Sequence, residues 1–202
     1  MDSLNLGALA VARKNGTEPF RRDGQALPYD LLGFWQWSGS DLTNNALRGT
    51  IAEYLVACDL GVEDGIRVEW DAYDMKSKQG VKVEVKSAAY LQSWQQAKLS
   101  SITFGIQPTL GWDSSTNISS TESIRQADVY VFALLHHQDK LTVDPLNVEQ
   151  WDFYVLPAAI LNEQLPAQKS ISLVTLLRLG PERVMFGEVS AAIRRVFPRN
   201  DK

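Results

Sequence analysis

The chain has 202 residues, and its composition of 45% hydrophobic and 22% charged residues is that of an ordinary globular protein, which excludes wholesale disorder. The formal net charge of −4 argues against a general polyanion-binding protein, so any contact with nucleic acid must come from local basic patches. Because no apolar run is as long as a membrane span and Cys58 is the single cysteine, the sequence predicts a cytoplasmic protein with no membrane contact, no internal disulfide and no cysteine-based zinc site.

A long helix is the best-defined element in the N-terminal part of the chain. Residues 4–14 before it are predicted as a short helix, and residues 17–42 as an irregular packed arm. The long helix is predicted to begin at an N-cap, Asn44 or Asn45, and to end at Gly61, since glycine favours the left-handed C-terminal position. Its apolar stripe is predicted from residues at helical spacing: Leu47, Ile51, Tyr54, Leu55 and Cys58.

Strands are predicted to follow this helix. Residues 68–76 and 81–88 alternate and are joined by a tight turn, which predicts an antiparallel hairpin. Residues 90–99 are predicted as a short helix or an ordered loop, and residues 102–106 as a strand. Residues 112–121 are polar, and we expect them to form the most mobile loop.

The C-terminal part combines buried strands with helices. Residues 128–135 (DVYVFALL) predict a central strand buried on both sides, and residues 151–156 predict another. Helices are predicted over residues 157–165, 170–180 and 188–196. The six tryptophans are expected mostly in the core, because their neighbours are apolar. The order of elements predicts an α/β layer architecture.

The hairpin carries the most informative residues of the chain. Side chains two residues apart on a strand lie on the same face, so the valines between 81 and 85 are predicted to enter the core while Glu84 and Lys86 lie side by side on the other face. The turn at residues 78–80 brings Asp74 alongside them. The result is an oxygen-rich pocket with an ammonium group at its edge.

These groups fit metal-assisted hydrolysis of a phosphodiester bond, which needs a positioned water and neutralisation of charge in the transition state. A Mg²⁺ or Mn²⁺ ion held by Asp74, Glu84 and the main-chain carbonyl of Val85 would meet both needs. Lys86 would orient or deprotonate the attacking water, or stabilise the developing negative charge. A salt-bridged, solvated strand face is the alternative interpretation of the same residues.

At these positions the chain resembles the PD-(D/E)xK, or restriction-endonuclease-like, nuclease superfamily. In that family an Asp begins one strand and a Glu-x-Lys lies on the next, as Asp74, Glu84 and Lys86 do here. The resemblance covers about residues 45–135. The chain departs from the motif at Tyr73, which stands where the motif has a proline before the Asp. Many members of the family also lack this proline.

The resemblance implies a restriction-endonuclease-like core, with a central mixed β-sheet flanked by helices, and metal-dependent cleavage of DNA. The length of the chain predicts one domain, taken as nuclease-like over residues 1–202. In this division, residues 1–43 form an N-terminal arm packed on the core, residues 45–135 form the catalytic core, and residues 136–202 add C-terminal strand and helices.

Three further residues are candidates for supporting roles. The family often supplies another acid from the helix ahead of the hairpin, and Glu53 in RGTIAEYL occupies the matching place; a solvated glutamate is the alternative. Gln92 resembles a glutamine that some members carry after the lysine, so it would contact a phosphate or a water, or remain a solvated amide. Arg48 would pair with a phosphate or with a surface acid.

Several alternatives stay open at this stage. In a second register, Asp74-Met75-Lys76 forms the acid-x-Lys, and Asp71, with Glu69 nearby, replaces Glu84 as a ligand. A chain that kept this core without cleaving would be a nucleic-acid-binding or regulatory protein, and a purely structural hairpin would belong to a protein-interaction module. Cutting both DNA strands at one site calls for two active sites, so a homodimer is a further hypothesis.

Overall fold

A computed structural model describes residues 7, 9–68, 71–113 and 117–198 of the chain. In chain order, the elements up to residue 124 are β1 (Pro19–Arg22), β2 (Gln25–Asp30), α1 (Leu31–Gly39), α2 (Asn45–Leu60), β3 (Met75–Lys76), β4 (Lys82–Ala89), β5 (Thr103–Gly105), β6 (Thr109–Asp113) and β7 (Ile118–Ile124). Those that follow are β8 (Val129–Leu135), a 3₁₀ turn (Val148–Gln150), β9 (Trp151–Pro157), α3 (Ala158–Gln164), β10 (Ser170–Ser172), α4 (Leu173–Arg178), β11 (Glu182–Val184) and α5 (Val189–Val196).

A five-stranded mixed sheet lies at the centre, in the order β11-β9-β8-β4-β3. Strands β4 and β8 are parallel, and the other neighbours in this sheet are antiparallel. The predicted mixed α/β architecture is therefore confirmed. Within the described ranges, no helix has the length and apolar character needed to cross a membrane.

Strand β8 lies at the middle of the sheet, and every one of its side chains is buried. Val129, Val131 and Ala133 pack on one face with α2 and α5, while Tyr130 and Phe132 pack on the other face. A strand covered on both faces needs apolar side chains at every position, which is why its sequence is a continuous apolar run. The predicted central strand is confirmed.

Helix α2 has the caps that the sequence predicted. The side chain of Asn44 accepts a hydrogen bond from the backbone N–H of Leu47, and Gly61 adopts the left-handed conformation after the last turn. The predicted apolar stripe, however, is wrong: Tyr54 is exposed, and the fully buried positions are Arg48, Ala52, Val56 and Leu60. Small side chains at 52 and 56 let α2 approach β4 closely, while Ile51 and Leu55 pack at the flank.

The predicted hairpin is present, but its first strand is much shorter than expected. Strand β3 is confined to Met75–Lys76, and residues 69 and 70 lie outside the described residues. Asp74 stands immediately before β3, and its backbone N–H still bonds to the carbonyl of Val83 at 3.1 Å. Gly80, at φ 79°, closes the turn.

The N-terminal predictions are wrong where the structure describes the chain. Residues 9–14 contain no helix, and the segment predicted as irregular forms the β1-β2 hairpin and α1. Asp23 and Gly24 both have positive φ, 51° and 79°, which is the backbone conformation of a two-residue hairpin turn. Asp30 then caps α1 by accepting from the N–H of Gly33.

The prediction of core tryptophans is wrong for several of them. Trp35, Trp37 and Trp94 are exposed, whereas Trp151 is completely buried. Helix α1 carries two of the exposed rings and contains no buried residue. An apolar local sequence therefore did not indicate a buried position here.

Two predictions in the later chain need correction. The polar segment 112–121 contributes to an antiparallel pair of strands, β6 and β7, although residues 114–116 lie outside the described residues. The helix predicted over 170–180 is divided into β10, which pairs with β5, and α4, which Ser172 caps. Residues 90–99 form a loop, which is one of the two alternatives predicted for them.

Candidate active site

Glu84 and Lys86 lie on the same face of β4 and form an ion pair. The Lys86 Nζ atom is 2.5 Å from Glu84 Oε1, and the two side chains are 35% and 17% exposed, respectively. Val83 and Val85 turn to the opposite face, into the core shared with α2. The alternation predicted from the sequence is confirmed, and it places an acid and a base next to each other.

Asp74 is hydrogen-bonded to β4, the strand that carries this pair. Its Oδ2 atom accepts a hydrogen bond of 2.6 Å from the backbone N–H of Val85, the residue between Glu84 and Lys86. The carboxylate of a residue that precedes β3 is therefore held beside β4. The structure brings together the three residues that the sequence singled out.

The electrostatic environment of Asp74 is dominated by loss of solvent and by other acids. Burial first, and then the charge of Glu84, raise the pKa of Asp74 to about 7; the hydrogen bond from Val85 opposes this shift, and Glu53 adds to it. The raised pKa means that the surrounding side chains compensate a negative charge on Asp74 only in part. Such a site favours a bound cation.

Lys86 is the cation that this site already contains. Burial acts to lower the pKa of Lys86, but the charge of Glu84 and its hydrogen bond, followed by Asp74 and Glu53, outweigh burial and raise it. Lys86 is therefore an ammonium group at neutral pH. It places a positive charge beside the carboxylates of Glu84 and Asp74.

Glu53 approaches the site from α2 and is paired with Arg67. Glu53 Oε2 lies 2.5 Å from Arg67 Nε, and Oε1 lies 3.1 Å from Nη2, so the guanidinium contacts both carboxylate oxygens. The Glu53 side chain is only 15% exposed. A freely solvated glutamate, the alternative from the sequence, does not describe this position.

Two separate clefts border these residues. One of about 160 Å³ is lined by Glu53, Arg67 and Asp74. The other, of about 350 Å³, is lined by Glu84 and Lys86 together with Tyr130 and other side chains from the strand ends and connecting loops. Glu53 and Asp74 are therefore accessible to a ligand from the first cleft, and Glu84 and Lys86 from the second.

The second register of the motif is not supported by the geometry. Asp71 is exposed, and Lys76 is exposed with its Nζ 5.6 Å from the centre of the Tyr73 ring. Glu69 lies outside the described residues. Lys86, by contrast, is paired with Glu84 inside the cluster.

Arg48 and Gln92 are placed together, but apart from the acids. Arg48 Nη1 donates to Gln92 Oε1 at 3.3 Å, and both residues are buried. They line a third cleft, of about 290 Å³, next to Ser87. Gln92 is therefore not a solvated amide, and Arg48 has no acidic partner among the described residues.

The donor set suits a hard divalent ion. Asp74, Glu84 and the carbonyl of Val85 offer oxygen atoms only, and Mg²⁺ is usually held in proteins by one or two carboxylates with the remaining positions taken by water and phosphate oxygens. Among the described residues, no three acidic, histidine or cysteine side chains are grouped closely enough to hold a metal by themselves. An ion held by two carboxylates and one carbonyl would keep part of its water shell.

Two residues near the site were not singled out from the sequence. Tyr130 is paired in register with Glu84 across β4 and β8, and burial followed by the charge of Glu84 raises its pKa, so it remains a neutral hydroxyl. Arg67 reaches Glu53 from the loop after α2. The parallel pairing of β4 with β8 was the signal that would have located Tyr130, whereas an irregular loop gives no such signal for Arg67.

The family of bacteriophage T4 endonuclease IV matches residues 35–175, about 70% of the chain. The matched region contains Glu53, Asp74, Glu84 and Lys86. None of the curated proteins is significantly similar to the chain in sequence.

Proposed function

Because the chain belongs to the bacteriophage T4 endonuclease IV family, we propose that it is a metal-dependent endonuclease that hydrolyses phosphodiester bonds in DNA. The observation that carries this proposal is the convergence of Asp74, Glu84 and Lys86 at a partly buried site with excess negative charge. The proposal includes a restriction-endonuclease-like core, in which the β3-β4 hairpin carries the PD-(D/E)xK residues.

Asp74, Glu84 and the carbonyl of Val85 would hold Mg²⁺ or Mn²⁺. Such an ion supplies a water of lowered pKa and positive charge for the phosphate oxygens. The raised pKa of Asp74 supports this assignment, because mutual repulsion among the acids is relieved by a cation.

Lys86 acts on the substrate side of the site. As an ammonium group it donates hydrogen bonds, so in this geometry it orients the attacking water and stabilises the negative charge that develops on the phosphate. Glu84 holds it in place through their ion pair. Glu53 positions Arg67 at the edge of the Asp74 cleft, where a second cation contacts the DNA backbone.

A protein-interaction module is the second candidate, because the direct Glu84–Lys86 pair is also what a salt-bridged surface would contain. The position of Asp74 argues against it. A carboxylate buried beside Glu84 lowers the stability of the fold without a cation, and a purely structural surface has no reason to keep it.

The test is cleavage of supercoiled plasmid, linear duplex, single-stranded and branched DNA with Mg²⁺, Mn²⁺ or EDTA. Lys86→Ala is compared with Lys76→Ala, the lysine of the second register. We expect metal-dependent cleavage that Lys86→Ala lowers by about 100-fold or more and Lys76→Ala leaves nearly unchanged. Loss of cleavage in Lys76→Ala alone would establish the second register. Absence of cleavage on every substrate, with no Mn²⁺ binding by calorimetry, would reject the enzyme.

A further inference from the structure

We propose that Arg48 binds a non-scissile phosphate of the DNA strand in the cleft next to Ser87. This inference rests on the proposed function, since it names a second contact to the same substrate. It concerns binding and not the chemical step.

The first argument is that Arg48 is a buried cation without an anionic partner. The residue is 5% exposed, and no carboxylate of the described residues lies within ion-pair distance of it. Its guanidinium donates to neutral oxygens only: Thr43 O at 3.2 Å, Gln92 Oε1 at 3.3 Å and Asn45 Oδ1 at 2.8 Å. A buried charge without a counter-ion is unfavourable unless protein oxygens satisfy all of its donors.

The second argument is that one donor of Arg48 has no partner. Its Nε atom is enclosed by protein atoms and has no hydrogen bond within the described structure. Burial is the only cause that lowers the pKa of Arg48, so no charged side chain in the described structure compensates it.

Arg125 shows what a purely structural buried arginine looks like in the same protein. It is 6% exposed, and its Nε donates to the carbonyl of Ile106 at 2.8 Å. Its two terminal nitrogens donate to the carbonyls of Leu161, Leu165 and Gln168 and to the side chain of Asn162. Arg125 is fully occupied by protein oxygens, whereas Arg48 is not.

The third argument is the composition of the cleft that Arg48 lines. Its volume is about 290 Å³, and hydroxyl and amide side chains dominate its wall: Asn45, Ser87, Gln92, Ser100, Ser101 and Thr103. No acidic side chain of the described residues lines it. Hydroxyl groups, amide N–H groups and a guanidinium together form a typical phosphate site.

The Ser87 side chain in the wall of this cleft lies on the face of β4 opposite to Glu84 and Lys86, because neighbouring side chains on a strand point to opposite faces. Ser87 directly follows Lys86 on β4, and Arg48 lies in the first turn of α2, the helix that also carries Glu53. The positive end of the α2 dipole adds to the attraction for an anion. A phosphate bound here would hold the DNA strand at a point away from the bond to be cut, as a non-scissile contact does.

Inorganic phosphate is the first probe, because it tests the anion site without any DNA. The melting temperature of the full chain is measured with phosphate and with chloride of equal ionic strength. We expect phosphate to raise the melting temperature of the wild type and of Arg178→Met, a control that removes an exposed arginine, but not that of Arg48→Met. Arg48→Lys, which keeps the charge but loses the forked donor, is expected to retain a reduced shift. An equal shift in all four proteins would overturn the proposal.

DNA in which single phosphates are replaced by neutral methylphosphonates is the second probe. Binding is measured by fluorescence anisotropy without metal and with Ca²⁺. At one non-scissile position we expect the replacement to weaken DNA binding by the wild type about tenfold, which is the effect of losing one charged hydrogen bond. The same replacement is expected to leave DNA binding by Arg48→Met unchanged. If every replacement weakens the wild type and Arg48→Met equally, Arg48 has only a structural role.

The two proposals fail in different ways. An Arg48-dependent phosphate position in a protein that cleaves nothing would reject the nuclease and keep the phosphate site. Metal-dependent cleavage with no Arg48-dependent position would keep the nuclease and reject the phosphate site. Absence of both DNA binding and phosphate binding would reject both.

Discussion

Asp74 accepts a hydrogen bond from the backbone N–H of Val85, at 2.6 Å between Oδ2 and N. This bond joins the residue before β3 to the middle of β4, so the acid does not depend on a long strand for its position. It also keeps Asp74 within the electrostatic range of Glu84 and Lys86 on either side of Val85. One backbone donor thus organises the catalytic cluster that we propose.

The metal-free protein is expected to lose stability as the pH rises, on account of Asp74. The pKa of Asp74 is about 7 in the folded protein, above its ordinary value, so folding favours its protonated form. Its contribution to stability is therefore complete below about pH 4 and declines as the pH rises through about 7. Asp74→Asn is expected to increase the free energy of unfolding at pH 8 by about 1 to 4 kcal/mol, and to have little effect at pH 4.

Urea denaturation in EDTA at the two pH values measures this difference. Asp23→Asn is the control, because Asp23 is an exposed turn residue. If Asp74→Asn were destabilising at pH 8 to the same extent as at pH 4, the hydrogen bond to Val85 would matter more than the buried charge.

Divalent metal is expected to reverse this instability. An ion that binds only the folded protein stabilises it by about 2.7 kcal/mol when its free concentration is one hundred times its dissociation constant. We expect Mn²⁺ to raise the free energy of unfolding of the wild type and of the exposed-site control Glu163→Gln, but not of Glu84→Gln. Thermal denaturation over a series of Mn²⁺ concentrations measures this stabilisation. Equal stabilisation of all three proteins would mean that the metal binds at another site.

The catalytic cluster was predictable because it depends on strand periodicity and one turn. The spacing of Glu84 and Lys86 sets their common face, and Gly80 reverses the chain. The apolar run of β8 was equally clear, since a central strand is buried at every position. These features are local in sequence, which is why reasoning from spacing found them.

The remaining features depend on contacts that spacing does not show. Strands β2 and β7 are exposed along their whole length, so they lack the apolar alternation that identifies a half-buried strand. The pairing of Glu53 with Arg67 passes through an irregular loop. The lack of an acidic partner for Arg48 among the described residues can be seen only once its neighbours in the fold are known.

Asp59 is expected to hold α2 and α5 together. Its carboxylate accepts hydrogen bonds from the backbone N–H groups of Gly187, Val189 and Ser190, at 2.7, 3.0 and 3.1 Å, so a side chain of α2 caps the N-terminus of α5. Asp59→Ala is expected to lower the free energy of unfolding by about 1 to 2 kcal/mol, as loss of an N-cap does. Chemical denaturation measures it against Asp64→Ala, whose carboxylate is almost fully exposed. A change no larger than in the control would mean that water replaces the cap.

Glu53 is expected to support metal binding without being a ligand. It lies near enough to Asp74 to raise the pKa of that carboxyl, and it is held by Arg67. Loss of a residue that orients metal ligands typically lowers metal affinity or activity by 10- to 100-fold, so we expect Glu53→Gln to weaken Mn²⁺ binding about tenfold.

Calorimetric titration of Mn²⁺ into the variants separates this role from that of the ion pair. Arg67→Met removes the pair but keeps the Glu53 charge, and Glu122→Gln changes an exposed acid on β7. If Glu53 acts through its charge, Arg67→Met will bind Mn²⁺ at least as well as the wild type, because the site then keeps its acid and loses a competing cation. If Arg67→Met weakens Mn²⁺ binding as much as Glu53→Gln, the intact pair, and not the carboxylate alone, positions the site.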